Sequence, residues 1–140
     1  MAENKIDEIN DIMTLFLSNL TEVAKEHTLF KEKLGIDHEY TKFAKGMVKL
    51  FNQYQRLYVY VEDSDTYAKE LVKVSEYALE VLSYKPYELL EGGFFKKRAI
   101  LKGMKPLREA AMKKLNDEID KINNFINQYI KEENNELDQE

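Results

Sequence analysis

The apolar residues of this chain recur at alternating intervals of three and four, the period of α-helices that each bury one face. The first series runs Ile6, Ile9, Met13, Phe16, Leu20, Val23, His27, Phe30 and Leu34, with His27 its one polar member. A half-buried strand alternates every second residue, so a pattern this long restricts the chain to packed helices. Only two prolines and five glycines punctuate the 140 residues, which favours a few long elements.

Gly35 is a natural C-cap for the first helix, and Asp37 can cap the second. The second series is Tyr40, Phe43, Met47, Leu50, Tyr54, Leu57 and Val61, widened by Ala44, Phe51 and Tyr58. Residues 57–61 have the β-branched and aromatic content of a strand. They sit inside an unbroken helical period, so helix is expected there. After a polar break at 62–66 come two adjacent seams on one helix. They are Tyr67, Leu71, Val74, Ala78, Val81 and Ala68, Val72, Ser75, Leu79, Leu82. An apolar arc that wide touches two neighbours. Pro86 ends this helix, residues 86–91 suit a short helical turn, and Gly92 and Gly93 form a hinge.

Residues 94–102 read as helical, with an interruption at Gly103 and a last helix entered through Pro106. Met112, Leu115, Ile119, Ile122, Ile126 and Tyr129 mark its buried side. Residues 131–140 hold five acids and one apolar residue, the composition of a disordered acidic tail. The expected fold is therefore all-α. It is an antiparallel helical bundle of four main helices with a short helical segment near Gly92 and Gly93, in a single domain over residues 1–130.

Composition excludes several chemistries. There is no cysteine, hence no disulfide, thiolate metal site or thiol nucleophile. No apolar run reaches the roughly 20 residues of a membrane span. The start of the chain is acidic where a signal peptide would be basic, so a cytoplasmic setting is expected. The two histidines, His27 and His38, lack a glutamate three residues before them, which removes the ferritin-like metal pattern. Gly92-Gly93-Phe94 is not followed by the lysine and hydroxyl of a phosphate-binding loop. No Gly-x-Ser-x-Gly occurs. Carboxylates abound, but no pair stands out from ordinary helix-surface charge. Ferritin-like, phosphotransfer and tetratricopeptide patterns all fail on named residues. The sequence points to no catalytic residue, cofactor or metal.

Charge is distributed unevenly. Residues 1–39 carry a net −5, residues 94–114 a net +7, and the tail −4, within a chain of net −5. The basic segment offers Lys96, Lys97, Arg98, Lys102, Lys105 and Arg108 as contacts for a polyanion or an acidic partner. Its competing role is internal, packed beside the acidic first helix. An amphipathic edge on an anionic membrane is a third. Tyr58, Tyr60, Tyr84, Tyr87, Phe94 and Phe95 are candidate interface aromatics, and Tyr40, Tyr54, Tyr67 and Tyr129 candidate core. His27 reads as a core or interface histidine. The expected function is a non-enzymatic interaction or assembly module, its partner another protein or a second copy. The alternative is a nucleic-acid-associated regulator or packaging protein of viral or plasmid type using residues 94–114.

Overall fold

A computed structural model describes the backbone of residues 2–139 and the side chains of Glu8 and residues 10–128. Four helices make up the described chain: α1 (Ala2–Leu34), α2 (Glu39–Leu57), α3 (Ser64–Ser83) and α4 (Phe94–Gln139). Single 3₁₀ turns, Tyr58–Tyr60 and Tyr87–Leu89, precede α3 and α4. The second supplies the short segment expected before the glycine pair.

Local chemistry places the boundaries. Gly35 ends α1 at φ +93°, a left-handed conformation glycine adopts without penalty, and its N–H reaches the Lys31 carbonyl at 3.1 Å. The cap of α2 is His38, not Asp37: the ring Nδ1 accepts the Tyr40 N–H at 3.1 Å. Asp63 caps α3 by accepting the Thr66 N–H at 3.2 Å. α2 ends at Leu57, so the expectation of helix through Val61 is corrected. Tyr58–Tyr60 tightens to 3₁₀ and Val61 turns extended (φ −92°, ψ 127°), which buries Val61 and lets α3 begin three residues later.

The expected break at Gly103 is also overturned. α4 runs unbroken for 46 residues, about 69 Å at 1.5 Å per residue, with Pro106 inside it. Proline removes one backbone donor and crowds the carbonyl four residues earlier. Here Gly103 contributes no side chain to that turn and Pro106 is exposed, so the helix absorbs both.

Contacts fix the direction of each helix. Phe16 meets Phe51 and Phe30 meets Tyr40, so α1 and α2 are antiparallel. Asn19 donates to Ser75 at 2.9 Å and Lys85 pairs with Glu26, so α1 and α3 run parallel. Lys121 pairs with Glu70 and Lys114 with Glu80, so α4 is antiparallel to α3. The result is an up-down-up-down helical bundle. α3 is its hub, packed on α1, α2 and α4.

Both seams of α3 are largely buried: Tyr67, Ala68, Leu71, Val74, Ser75, Ala78, Val81 and Leu82 line the core. They meet Phe16, Leu20, Val23 and Phe30 of α1, Ala44, Phe51 and Tyr54 of α2, and Ala111, Leu115, Ile122 and Ile126 of α4. Two tyrosine hydroxyls thread this core. Tyr67 donates to the Tyr54 carbonyl at 2.6 Å, and Tyr54 donates to Asn123 Oδ1 at 2.8 Å. Burial pushes the Tyr54 phenol up to about 12 and raises Tyr67 as well, so both remain donors. Tyr40 is half-buried at the edge. Tyr129 and the side chains of 131–140, where an acidic disordered tail is expected, lie outside the described residues.

Candidate interaction surface

The buried face of α4 begins at Ala111. Before it, residues 94–110 project along and past the end of the bundle formed by the α1–α2 turn and the α3–α4 connection. None of these seventeen residues is buried. Their inner side is half-covered: Lys97, Ile100, Leu101, Met104 and Arg108 are each partly buried. Lys97 Nζ lies 4.9 Å from the Tyr87 ring centroid, and the Arg108 guanidinium 4.5 Å from that of Tyr40. A groove of about 280 Å³ opens between Tyr40 and Leu101, Met104, Lys105, Arg108 and Glu109. Gly92, at φ +108°, turns the chain into this arm; a Cβ there would stand 2.6 Å from the Lys96 side chain.

The outer side of the arm is a row of cations. Arg98, Lys102, Lys105 and Lys113 share one helix face with Phe95 and Glu109, opposite the buried stripe. From Arg98 to Lys113 the row is about 22 Å long. Among the described residues, Lys96, Lys97, Arg98, Lys102, Lys105, Arg108 and Lys113 form no salt bridge; only Lys114 of the segment pairs, with Glu80. The acids of α1 that pair do so elsewhere, Glu22 with Lys25 and Glu26 with Lys85. The internal role for the basic segment, beside the acidic first helix, is therefore not what the fold builds. α3 lies between α1 and α4.

The candidate aromatics separate into two groups. Phe94 (57% exposed), Phe95 (84%) and Tyr87 (38%) gather at the root of the arm, with the Phe94 and Phe95 rings 5.4 Å apart. Tyr84 is half-buried at the end of α3 nearby. Tyr60 (61% exposed), with Val59 (76%), stands at the opposite end of the bundle, on the α2–α3 connection. Tyr58 there is half-buried against the core.

One site escaped sequence reasoning. Glu118 of α4 is buried close to Glu70 of α3. Glu118 Oε1 and Glu70 Oε2 are both buried without a hydrogen-bond partner. Burial, then the Glu70 contact, pushes the Glu118 carboxyl up to about 7. Glu70 is held below the usual carboxylate range by its contacts with Glu118 and Lys121 and by the Lys73 charge, against the effect of burial. The expectation that no carboxylate pair stands out is thus corrected. The signal was present: Glu118 occupies the buried spacing Ala111, Leu115, Glu118, Ile122, Ile126. Glu70, and not Glu118, borders a second cavity of about 200 Å³, lined also by Tyr67, Ile122 and Phe125.

His27 is half-buried on α1, its pKa lowered by burial and by Lys31 and Lys45. His38 Nε2 stands 3.3 Å from Glu88 Oε1, which ties the start of α2 to the turn before α4. Among the described residues no three His, Asp or Glu side chains could hold a metal ion, and no helix is long and apolar enough to cross a membrane. No family model matches the chain, and no curated protein or solved structure matches it.

Proposed function

We propose that this protein is a non-enzymatic interaction module whose docking element is the arm of α4, residues 94–110. One observation carries the reading: the arm leaves the core and bears exposed Phe94, Phe95 and Leu107 among cations that form no salt bridge with the described residues. Helices hold their place in a bundle by burying an apolar face. A helix extended four turns beyond its buried stripe gains little from its own fold, whereas mixed aromatic and basic residues are the composition of a binding surface for an acidic partner.

A second reading is supported by the geometry of the cations. Arg98, Lys102, Lys105 and Lys113 form a row instead of a pocket, and a row suits the phosphate backbone of a nucleic acid. A membrane-surface role has less support, because the apolar residues Ile100, Leu101 and Met104 turn toward the bundle and not outward with the cations.

Reversal of Arg98 and Lys102 to glutamate tests the reading. Both side chains are exposed, so the melt should stay within about 0.5 kcal/mol of the parent. Light scattering, on the chain alone and with added DNA or RNA oligomers, should lose any rise in mass that the parent shows. A large loss of stability would overturn the proposal, since the arm would then be part of what holds the fold.

A further inference from the structure

The bundle is electrically polar along its long axis. The end that carries the arm comprises residues 25–43 and 81–111, with eleven basic and seven acidic side chains, a net +4. The other end, among the residues whose side chains are described, comprises Glu8 and residues 10–15, 53–71 and 121–128, with three basic and six acidic side chains, a net −3. Residues between the two ends come close to neutral. The helix directions impose this separation: α1 and α3 begin at the acidic end, and α4 begins at the basic one.

Both ends also expose apolar side chains among their charges. Phe94 and Phe95 adjoin Lys96 and Arg98 at the basic end. Val59 and Tyr60 adjoin Glu62 at the acidic end, where Glu62 is exposed and makes no ion pair among the described residues. Within one molecule these two surfaces cannot meet, because helices tens of ångströms long hold them apart.

Resting on the reading of the arm as a docking element, we infer that its occupant is the acidic end of a second copy of this chain. The arm with Phe94, Phe95 and Arg98 docks on the α2–α3 connection with Val59, Tyr60 and Glu62. The two surfaces differ, so the contact is head-to-tail and each copy retains one free end of each kind. Such an assembly grows with concentration. It dissolves with salt, because the opposed charges are exposed and screened over about 8–10 Å at moderate ionic strength.

The experiment measures mass by light scattering over a concentration series at low and high salt, for the parent and two variants. Phe95→Ala/Arg98→Ala disables the basic end, and Tyr60→Ala/Glu62→Ala the acidic end. These side chains are exposed, and thermal melts check that both variants fold. The parent should gain mass with concentration at low salt and return to the monomer at high salt. Each variant alone should stay monomeric. An equimolar mixture should reach twice the monomer mass and stop there, since it retains one functional contact per pair. A parent that is monomeric at every concentration in low salt overturns the inference, as does a mixture that stays monomeric. A parent that gains mass only when a DNA or RNA oligomer is added also overturns it, and leaves the arm a docking element for a polyanion.

Discussion

At the scale of single residues, two ionisable groups inside the bundle pull its pH response in opposite directions. Glu118 has its folded pKa raised to about 7, above its unfolded value near 4.5. The folded state therefore binds more protons than the unfolded state between those values, and this contribution to stability is lost as pH rises from 4.5 to 7. His27 has its pKa lowered, so its contribution is lost as pH falls below 6.5. The carboxyl effect should dominate, because Glu118 is buried and meets a second carboxyl, whereas His27 is half-exposed. Lys73 and Lys121 temper it without removing it. Glu118→Gln offers Glu70 a donor without a titrating proton. Chemical denaturation should show the variant more stable than the parent at pH 8 by about 1.5–3 kcal/mol, the range for a hydrogen bond to a charged group. The gap should close toward pH 5, and an unchanged pH profile would show that the Glu118 pKa is not raised. Periodicity marked His27 as an exception on an apolar stripe and Phe16, Leu20 and Val23 as core, and it left Glu118 unmarked. Which polar group an exception meets is decided by the neighbouring helix, and that is invisible along one chain.

At the scale of elements, the helices were legible because their stripes are long, and their ends were less so. The residues at 57–61 keep a helical spacing of apolar side chains, yet the chain there must also turn toward α3, and the turn prevails. Gly103 and Pro106 signal a break on propensity alone. The break does not form: α4 continues through both residues, with Pro106 exposed. That continuity has a cost in local stability. Residues 94–110 have half-covered contacts with Tyr40 and Tyr87, whereas residues 111–126 bury Ala111, Leu115, Ile122 and Ile126. Hydrogen exchange should separate the two halves of this one helix, with arm amides opening at much lower free energy than those after Ala111. Pro106→Ala restores a backbone donor and removes a residue roughly 3 kcal/mol worse than alanine in a helix interior. It should slow exchange in the arm and leave the global melt almost unmoved. Equal protection along all of α4 would mean that the arm is docked.

At the scale of the whole molecule, stability and association reside in different places. The core is apolar and centred on α3, which touches every other helix. The charges of the sequence say how much basic and acidic character each segment has, but not that the two accumulate at opposite ends. That follows from the directions in which the helices run, α1 and α3 one way and α4 the other, and no periodicity reveals a direction. The ion pairs that bridge helices, such as Lys121 with Glu70 and Lys114 with Glu80, have their lysines about half exposed or more, and pairs of that kind are each worth about 0–1 kcal/mol. Salt should therefore act on the ends far more than on the fold. Raising the ionic strength from low to high should abolish any self-association seen by light scattering. Over the same range the melting temperature, followed by circular dichroism on dilute monomer, should move by no more than about 4 °C, which is roughly 1 kcal/mol for a chain of this size. A melt that collapses in step with the loss of mass would place the two on one footing. The arm and the α2–α3 connection would then be parts of a shared core, completed only when a second copy is present.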